Sequence, residues 1–169
     1  FGAFLEKTGI GNFFVDLANS LVGSSAGGPA KVAVISSALE GMYSGSSVAN
    51  TVGSGSITIP VMKSAGYKPE FAAAVEAAAS TGGQIMPPIM GAAAFLMSQI
   101  TGVPYATIVV CAILPATLYF VGIFIMVHLE AKKMGLKGLP KEVIPNFFKL
   151  ILKKGYLLIP IVALVICMN

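Results

Sequence analysis

The sequence contains little charge and few of the side chains on which catalysis and soluble folding depend. Tryptophan and arginine are missing, histidine occurs once, and charged residues make up 11% of the 169 residues. Soluble domains average about 25% charged residues. Hydrophobic residues account for 56% of this chain, so the composition excludes an ordinary soluble domain and predicts an integral membrane protein.

The scarcity of reactive side chains also argues against catalysis. Cys111 and Cys167 lie in apolar runs without metal-ligand spacing. Residues 23–27 match the Gly-x-Ser-x-Gly nucleophile pattern, but that pattern requires a preceding strand and a His partner. The only His, His128, is far away in the sequence. No phosphate-binding or redox motif is visible, so we expect neither enzyme activity nor a cofactor.

The apolar segments do not alternate with period two, as strands would require. The 19 Gly and 10 Pro residues suit helical spans that contain breaks. We therefore expect an all-α integral membrane protein. The clearest span runs from Val103 to Val127 and predicts a scaffold transmembrane helix over residues 103–129.

A basic segment follows this span. Seven of the 11 Lys residues fall between Lys132 and Lys154, and the positive-inside rule places this loop, residues 130–155, in the cytoplasm. A nucleic-acid-binding patch is the competing interpretation. It is disfavoured because the cluster is short and lies between apolar spans, so we expect membrane lipid and no nucleic acid as a partner.

The two ends of the chain carry weaker signals. Residues 1–23 mix charged and aromatic side chains, which predicts an amphipathic arm helix along the membrane interface; the alternative is the tail of an ordinary span. Residues 156–169 start another apolar run, interpreted as the beginning of the next transmembrane helix. Because the chain starts at Phe1 rather than Met and stops inside this run, we expect an internal piece of a longer polypeptide.

A polar, Gly-rich stretch over residues 41–55 lies between two short apolar arms, Lys31–Leu39 and Ile57–Met62. Each arm, with its share of the polar stretch, is too short to cross a bilayer of about 30 Å. This pattern predicts a re-entrant helical hairpin over residues 24–63 with its tip near 44–51. A tight turn between two ordinary helices remains the alternative. Glu40, within the first arm, is either a functional carboxylate or a structural hydrogen-bonding group.

Residues 64–102 predict a turn at the cytoplasmic face followed by a discontinuous transmembrane helix. An Ala-rich helical run begins at Glu70, and the sequence Thr81-Gly-Gly-Gln-Ile-Met-Pro-Pro88 interrupts it. Proline lacks an N–H group and disfavours helical geometry in the residue before it. We therefore expect a break over residues 82–88, with a simple proline kink as the alternative.

The two interruptions predict a binding site where they meet. Helix ends leave carbonyl and N–H groups without partners, which suit a dehydrated cation and a carboxylate respectively. Glycines allow the backbone to approach closely, and no Asp occurs at either break. Neutral side-chain oxygens that suit Na⁺ come from Ser46, Ser47, Asn50 and Thr51. For Ser47 and Asn50 the alternative is capping of the second arm, and Tyr43 and Gln84 could bind substrate or satisfy buried backbone.

These motifs resemble a known family. Residues 41–51, 58–63, 66–67 and 82–91 look like the large membrane subunit of tripartite ATP-independent periplasmic (TRAP) transporters, and Ile89 after Pro87-Pro88 points to the subtype with fused small and large subunits. The resemblance implies one half of an inverted-repeat ion-transporter fold and an elevator mechanism. It also implies sodium symport of an organic acid (carboxylate) in the prokaryotic inner membrane, with an extracytoplasmic solute-binding receptor and a small membrane subunit as partners.

The resemblance also implies the site residues. A sodium site would map to Ser47, Asn50 and Thr51 and to the backbone between Gly82 and Pro87. The candidate sodium and substrate site as a whole comprises Ser46, Ser47, Asn50, Thr51, Gly82, Gly83, Gln84 and Pro87. Two other functions remain open: a receptor-independent sodium/dicarboxylate carrier, and a channel or structural membrane subunit without a transport cycle.

Overall fold

The computed structural model describes residues 8–139 and 144–159, together with 162–163 and 166, and within them all regular structure is helical. The all-helical prediction is therefore confirmed at that level. The helices are α1 Ile10–Val22, α2 Gly28–Ser44, α3 Ser47–Gly53, α4 Gly55–Ser64, α5 Pro69–Gly82, α6 Ala92–Thr101, α7 Tyr105–Lys133 and α8 Phe147–Lys154. Short 3-10 turns cover Gly83–Ile85 and Gly155–Leu158. Among the described helices, α7 alone is long and apolar enough to cross a membrane.

The segment predicted as a hairpin folds into helices α2, α3 and α4, and α2 packs against the other two. Helix α2 ends at Gly45, whose φ of 59° lies in the left-handed region that glycine adopts without strain. The second half of the predicted hairpin is divided at Ser54 into α3 and α4. Gly53 and Gly55 flank the division and both weaken helix propensity there. Whether this hairpin enters a membrane stays a prediction.

Helix α5 lies at the centre of the fold and packs against α2, α3, α4 and α7. Its buried face includes Ala72, Val75 and Ala79, each 0% exposed. Small side chains let helix axes approach closely, which is how helices pack where the surrounding solvent is itself apolar. The Ala-rich run of the sequence therefore lies in a closely packed helix.

The regular helix geometry of α5 ends at Gly82 and does not resume until Ala92. A 3-10 turn and irregular backbone fill the interval, which extends beyond the predicted break of 82–88. The extension has a local cause, since the Gly91 N–H donates to the Gln84 carbonyl at 2.7 Å and closes the interval into a loop. Met90, inside this loop, has a positive φ of 59°.

Helices α1 and α8 cover one side of the hairpin. Phe13 and Phe14 of α1 pack with Tyr43 of α2, and Leu150 of α8 is buried in the same cluster. Lys154 pairs with Asp16 at 3.1 Å. The predicted basic loop therefore contains a helix that docks on α1. The remainder of that loop at 140–143, the first residues of the predicted arm at 1–7, and most of the predicted span over 156–169 lie outside the described residues.

Two polar side chains near the base of the hairpin are more buried than their sequence context indicated. Lys31 is 4% exposed; its Nζ donates to the Ser25 hydroxyl at 3.0 Å and lies 5.2 Å from the centre of the Phe124 ring. Tyr67, in the turn between α4 and α5, is 3% exposed, and its hydroxyl has no hydrogen-bond partner among the described residues. Burial first, and then the charge of Glu130, raise the pKa of Tyr67 to about 12.

Candidate functional site

The hairpin turns over only two residues, Gly45 and Ser46. Ser46 is the N-cap of α3, and its hydroxyl oxygen accepts a hydrogen bond from the Ala49 N–H at 3.3 Å. The alternative role considered for Ser47 and Asn50, capping of the second arm, is therefore filled by Ser46 instead. The Thr51 hydroxyl donates to the Ser47 carbonyl at 2.8 Å within α3, so both Ser46 and Thr51 already make local bonds.

Among the predicted site residues with polar side chains, Asn50 is the most buried, with 1% exposure. Its side-chain oxygen accepts a bond from the Ser44 hydroxyl at 2.6 Å, and its amide nitrogen donates to the Ser37 carbonyl at 3.1 Å. These bonds hold the Asn50 side chain of α3 against α2. An amide oxygen has two acceptor positions, so the Asn50 oxygen keeps one further position for a ligand.

The helix break lies directly against this tip. The Gln84 amide donates to the Ser47 hydroxyl at 2.8 Å across a separation of 37 residues. A serine hydroxyl has two acceptor positions and one donor hydrogen. Ser47 therefore retains one acceptor position and its hydrogen, and both Ser47 and Gln84 stay accessible while Asn50 is buried. Sequence reasoning left Gln84 open between substrate binding and backbone satisfaction, and the structure gives it a partner in the hairpin.

Glycine backbone makes this approach possible. A Cβ atom added to Gly83 would lie 2.6 Å from the Asn50 amide nitrogen and 3.0 Å from the Cα of Gly41. A Cβ atom on Gly45 would collide with the carbonyl oxygen of Met90. The Ser47–Gln84 bond and these two glycine contacts together form what we call the tip–break contact. It brings together the predicted residues Ser47, Asn50, Gly83 and Gln84.

The remaining predicted residues flank this contact. Gly82 faces α7, because a Cβ atom there would come within 2.7 Å of the Tyr119 ring and 2.8 Å of Phe120. Pro87 lies in the irregular loop, half-buried, and the Pro88 and Ile89 carbonyls accept bonds from the Tyr105 hydroxyl of α7. These residues shape the break.

A cavity of about 340 Å³ opens beside the tip, between α1 and the hairpin. Asn12, Glu40, Ser44 and Asn50 contribute polar groups to its wall. Glu40 is 3% exposed and faces α1, since a Cβ atom on Gly11 would lie 2.9 Å from its carboxylate oxygen. Glu40 therefore places a carboxyl group in the wall of the cavity that Asn50 also lines.

Sequence reasoning missed a second polar group, which we call the Glu76 cluster. Glu76 on α5 is 0% exposed and accepts hydrogen bonds from the hydroxyls of Ser37, Ser54, Thr58 and Ser80. One signal was available, because an ionisable residue inside an apolar membrane segment indicates a functional site by default. The alanines around Glu76 in the sequence indicate helix packing instead. Among the described residues no group of three or more His, Cys, Asp and Glu side chains could hold a metal ion.

Comparison with known proteins identifies relatives of this chain. The chain is 29% identical over 140 residues to the C4-dicarboxylate TRAP transporter large permease protein DctM of Pseudomonas aeruginosa, covering 83% of this chain and 32% of that protein. It is 31% identical over 139 residues to the protein of the same name from Vibrio cholerae, covering 82% and 30%. It is 28% identical over 156 residues to the sialic acid TRAP transporter large permease protein SiaM of Vibrio cholerae, covering 92% and 36%.

The chain thus spans about a third of the length of these relatives. The relatives do not decide between separate and fused membrane subunits, so the fused subtype stays a prediction. The family model for the DctM component of the tripartite ATP-independent periplasmic transporter matches residues 1–169. The chain therefore belongs to the DctM family of TRAP transporter permeases, which is not an enzyme family.

Proposed function

We propose that this chain is part of the large permease of a TRAP transporter that imports an organic acid by sodium symport. The observation that carries the proposal is the tip–break contact, in which Ser47 and Asn50 of the hairpin meet Gln84 and Gly83 of the interrupted helix. In secondary transporters, discontinuous helices supply the ends at which substrates and coupling ions bind. Family membership adds an inner-membrane location.

The donor set fits a hard monovalent cation. Ser47 and Asn50 each keep an unused oxygen acceptor position beside the break, and hydroxyl and amide oxygens are ligands that alkali cations accept. Thr51, the third predicted sodium ligand, donates its hydrogen to the Ser47 carbonyl and keeps both oxygen lone pairs, but no hydrogen bond among the described residues joins it to the break. We therefore place Ser47 and Asn50 first among the sodium ligands and Thr51 second.

The substrate would bind at the helix ends that flank the break. The N-terminus of α6, at Ala92, follows the break, and helix N-termini favour carboxylates through their free N–H groups. The named relatives include C4-dicarboxylate and sialic acid permeases, and both substrates carry carboxylates. We propose a carboxylate substrate, an extracytoplasmic receptor that delivers it, a small membrane subunit, and elevator movement of the hairpin with the interrupted helix.

Uptake into liposomes that contain the full-length parent protein tests this function. A sodium gradient, the cognate receptor and a panel of labelled organic acids are supplied, and a potassium gradient replaces sodium as the control. Saturable uptake that requires both sodium and the receptor is the expected result. Uptake that is indifferent to sodium contradicts the coupling, uptake without the receptor identifies a receptor-independent carrier, and current without saturable uptake identifies a channel.

A further inference from the structure

Glu76 occupies the point where both arms of the hairpin meet α5. Its carboxylate oxygens accept bonds from the hydroxyls of Ser37 at 2.8 Å, Ser54 at 2.6 Å, Thr58 at 2.5 Å and Ser80 at 3.1 Å. Ser37 belongs to α2, Ser54 to the division between α3 and α4, and Thr58 to α4. Ser80 is the exception, because it lies on α5 together with Glu76.

The cluster is made of one carboxylate and neutral donors. Neither salt bridge found among the described residues includes Glu76. A buried carboxylate is costly unless its oxygens accept hydrogen bonds, so each hydroxyl matters more here than on a surface. Removing Glu76 itself takes the shared acceptor away from all four buried hydroxyls, which costs more than an average hydrogen bond contributes.

The residues that bind Glu76 also hold Asn50. The backbone carbonyl of Ser37 accepts the bond from the Asn50 amide at 3.1 Å, while the Ser37 hydroxyl donates to Glu76. The Ser54 hydroxyl lies 2.6 Å from Glu76 and 2.8 Å from the backbone carbonyl oxygen of Asn50, and its one hydrogen can be donated to either. Through Ser37, hydrogen bonds therefore connect Glu76 on α5 with Asn50 near the tip.

We propose that Glu76 is a positioning residue that fastens both hairpin arms to α5 and so holds Asn50 and the tip against the helix break. The link to ion binding rests on the proposed function. The attachment of the hairpin to α5 rests only on the hydrogen bonds of Glu76 described above. Because of these bonds, we expect the hairpin and α5 to move together.

Two serines of the cluster provide a matched pair for the test. Ser37 and Ser80 are both 0% exposed, and both donate to the same oxygen of Glu76. Ser37→Ala removes a bond between the hairpin and α5, whereas Ser80→Ala removes a bond within α5. Backbone hydrogen–deuterium exchange over residues 44–53 of the full-length parent, in lipid nanodiscs, reports how firmly the tip is held.

We expect exchange over 44–53 to become about tenfold faster in Ser37→Ala and to stay within about twofold of the wild type in Ser80→Ala. Thr58→Val, which removes another hairpin bond, is the second variant if Ser37→Ala does not fold. Glu76→Gln keeps the size and one acceptor oxygen, so its exchange should fall between that of Glu76→Ala and the wild type. Equal exchange in Ser37→Ala and Ser80→Ala, or faster exchange throughout the protein, overturns the proposal.

A second measurement separates this role from a general loss of stability. In liposomes, the sodium concentration for half-maximal uptake should rise about tenfold in Ser37→Ala and remain unchanged in Ser80→Ala. If wild-type uptake proves independent of sodium, the proposed coupling fails, and the exchange comparison still decides the role of Glu76. If sodium affinity is unchanged in Ser37→Ala while exchange is faster, Glu76 fastens the hairpin without positioning the ion site, and that part of the proposal is wrong.

Discussion

The tip–break contact and the Glu76 cluster contain the same kinds of residues but differ in how fully their polar groups are hydrogen-bonded. Both join the hairpin to the interrupted helix through hydroxyl groups. In the Glu76 cluster the carboxylate is 0% exposed and accepts from four hydroxyls. At the tip, one side-chain bond crosses to the break, from Gln84 to Ser47, and acceptor positions remain unused. Polar groups whose hydrogen-bonding capacity is fully used hold the structure in place, whereas groups with unused acceptor positions are available to bind a ligand.

The largest expected effect is on stability and comes from Glu76→Ala. This change leaves buried hydroxyls without their shared acceptor and creates a cavity, which together should cost about 3 kcal/mol or more. Ser47→Ala should cost less than about 1 kcal/mol, because Ser47 is partly accessible and Gln84 can bond to water. Thermal unfolding of the full-length parent in detergent measures both. Similar losses in the two variants would remove the distinction between a fixing cluster and a binding contact.

A steric change at the break should have the next largest effect. Gly83 has helical backbone angles, φ −58° and ψ −26°, so Gly83→Ala causes no backbone strain. Its new methyl group would nevertheless meet Asn50 and the backbone of Gly41, and overpacking of this kind costs about 1–3 kcal/mol. We expect the tip to move away from the break and uptake to fall about tenfold or more.

Gly122→Ala is the matched control for this change. Gly122 lies within α7, and a Cβ atom there would meet nothing within 4 Å. It should therefore leave uptake unchanged. Normal uptake by Gly83→Ala would show that the close approach of glycine backbone at the break is dispensable.

The smallest expected effect concerns the buried hydroxyl of Tyr67. Tyr67→Phe removes a hydroxyl that forms no hydrogen bond among the described residues, so stability should be unchanged or rise by up to about 1 kcal/mol. Because the folded state raises the pKa of Tyr67 from 10.0 to about 12, wild-type stability is retained below pH 10 and falls as the pH rises towards 12.

Tyr67→Phe should weaken this alkaline decline, which thermal unfolding across that pH range would detect. Tyr119→Phe is the control, since the Tyr119 hydroxyl donates to the Ala78 carbonyl at 2.9 Å. It should be slightly destabilising instead. A clear loss of stability in Tyr67→Phe would mean that its hydroxyl has a partner after all.

Some interruptions of the helices can be recognised from residues that are neighbours in the chain. Gly45 and Ser46 could be recognised as a turn because glycine adopts positive φ and serine caps helices. Pro87 and Pro88 could be recognised as a break because proline cannot continue a helix. These features depend on residues that are neighbours in the chain, so composition and spacing are sufficient to find them.

Contacts between distant residues could not be predicted in the same way. The bond from Ser37 to Glu76 joins residues 39 positions apart, and nothing in the spacing shows that α2 and α5 face each other there. The docking of α8 on α1 through Leu150 and Lys154 was missed for the same reason. Gly83 was expected to allow a close approach, but only the structure shows that Asn50 and Gly41 are what it approaches.

The sodium dependence of uptake in three single variants tests whether a sodium site lies at the tip–break contact. Ser47→Ala and Asn50→Ala alter the tip, while Ser64→Ala removes an exposed hydroxyl at the far end of α4, where it donates to the Val61 carbonyl. We expect the sodium concentration for half-maximal uptake to rise about tenfold in both tip variants and to be unchanged in Ser64→Ala. Half-maximal uptake at the same sodium concentration in all three variants would contradict a sodium site at the tip–break contact.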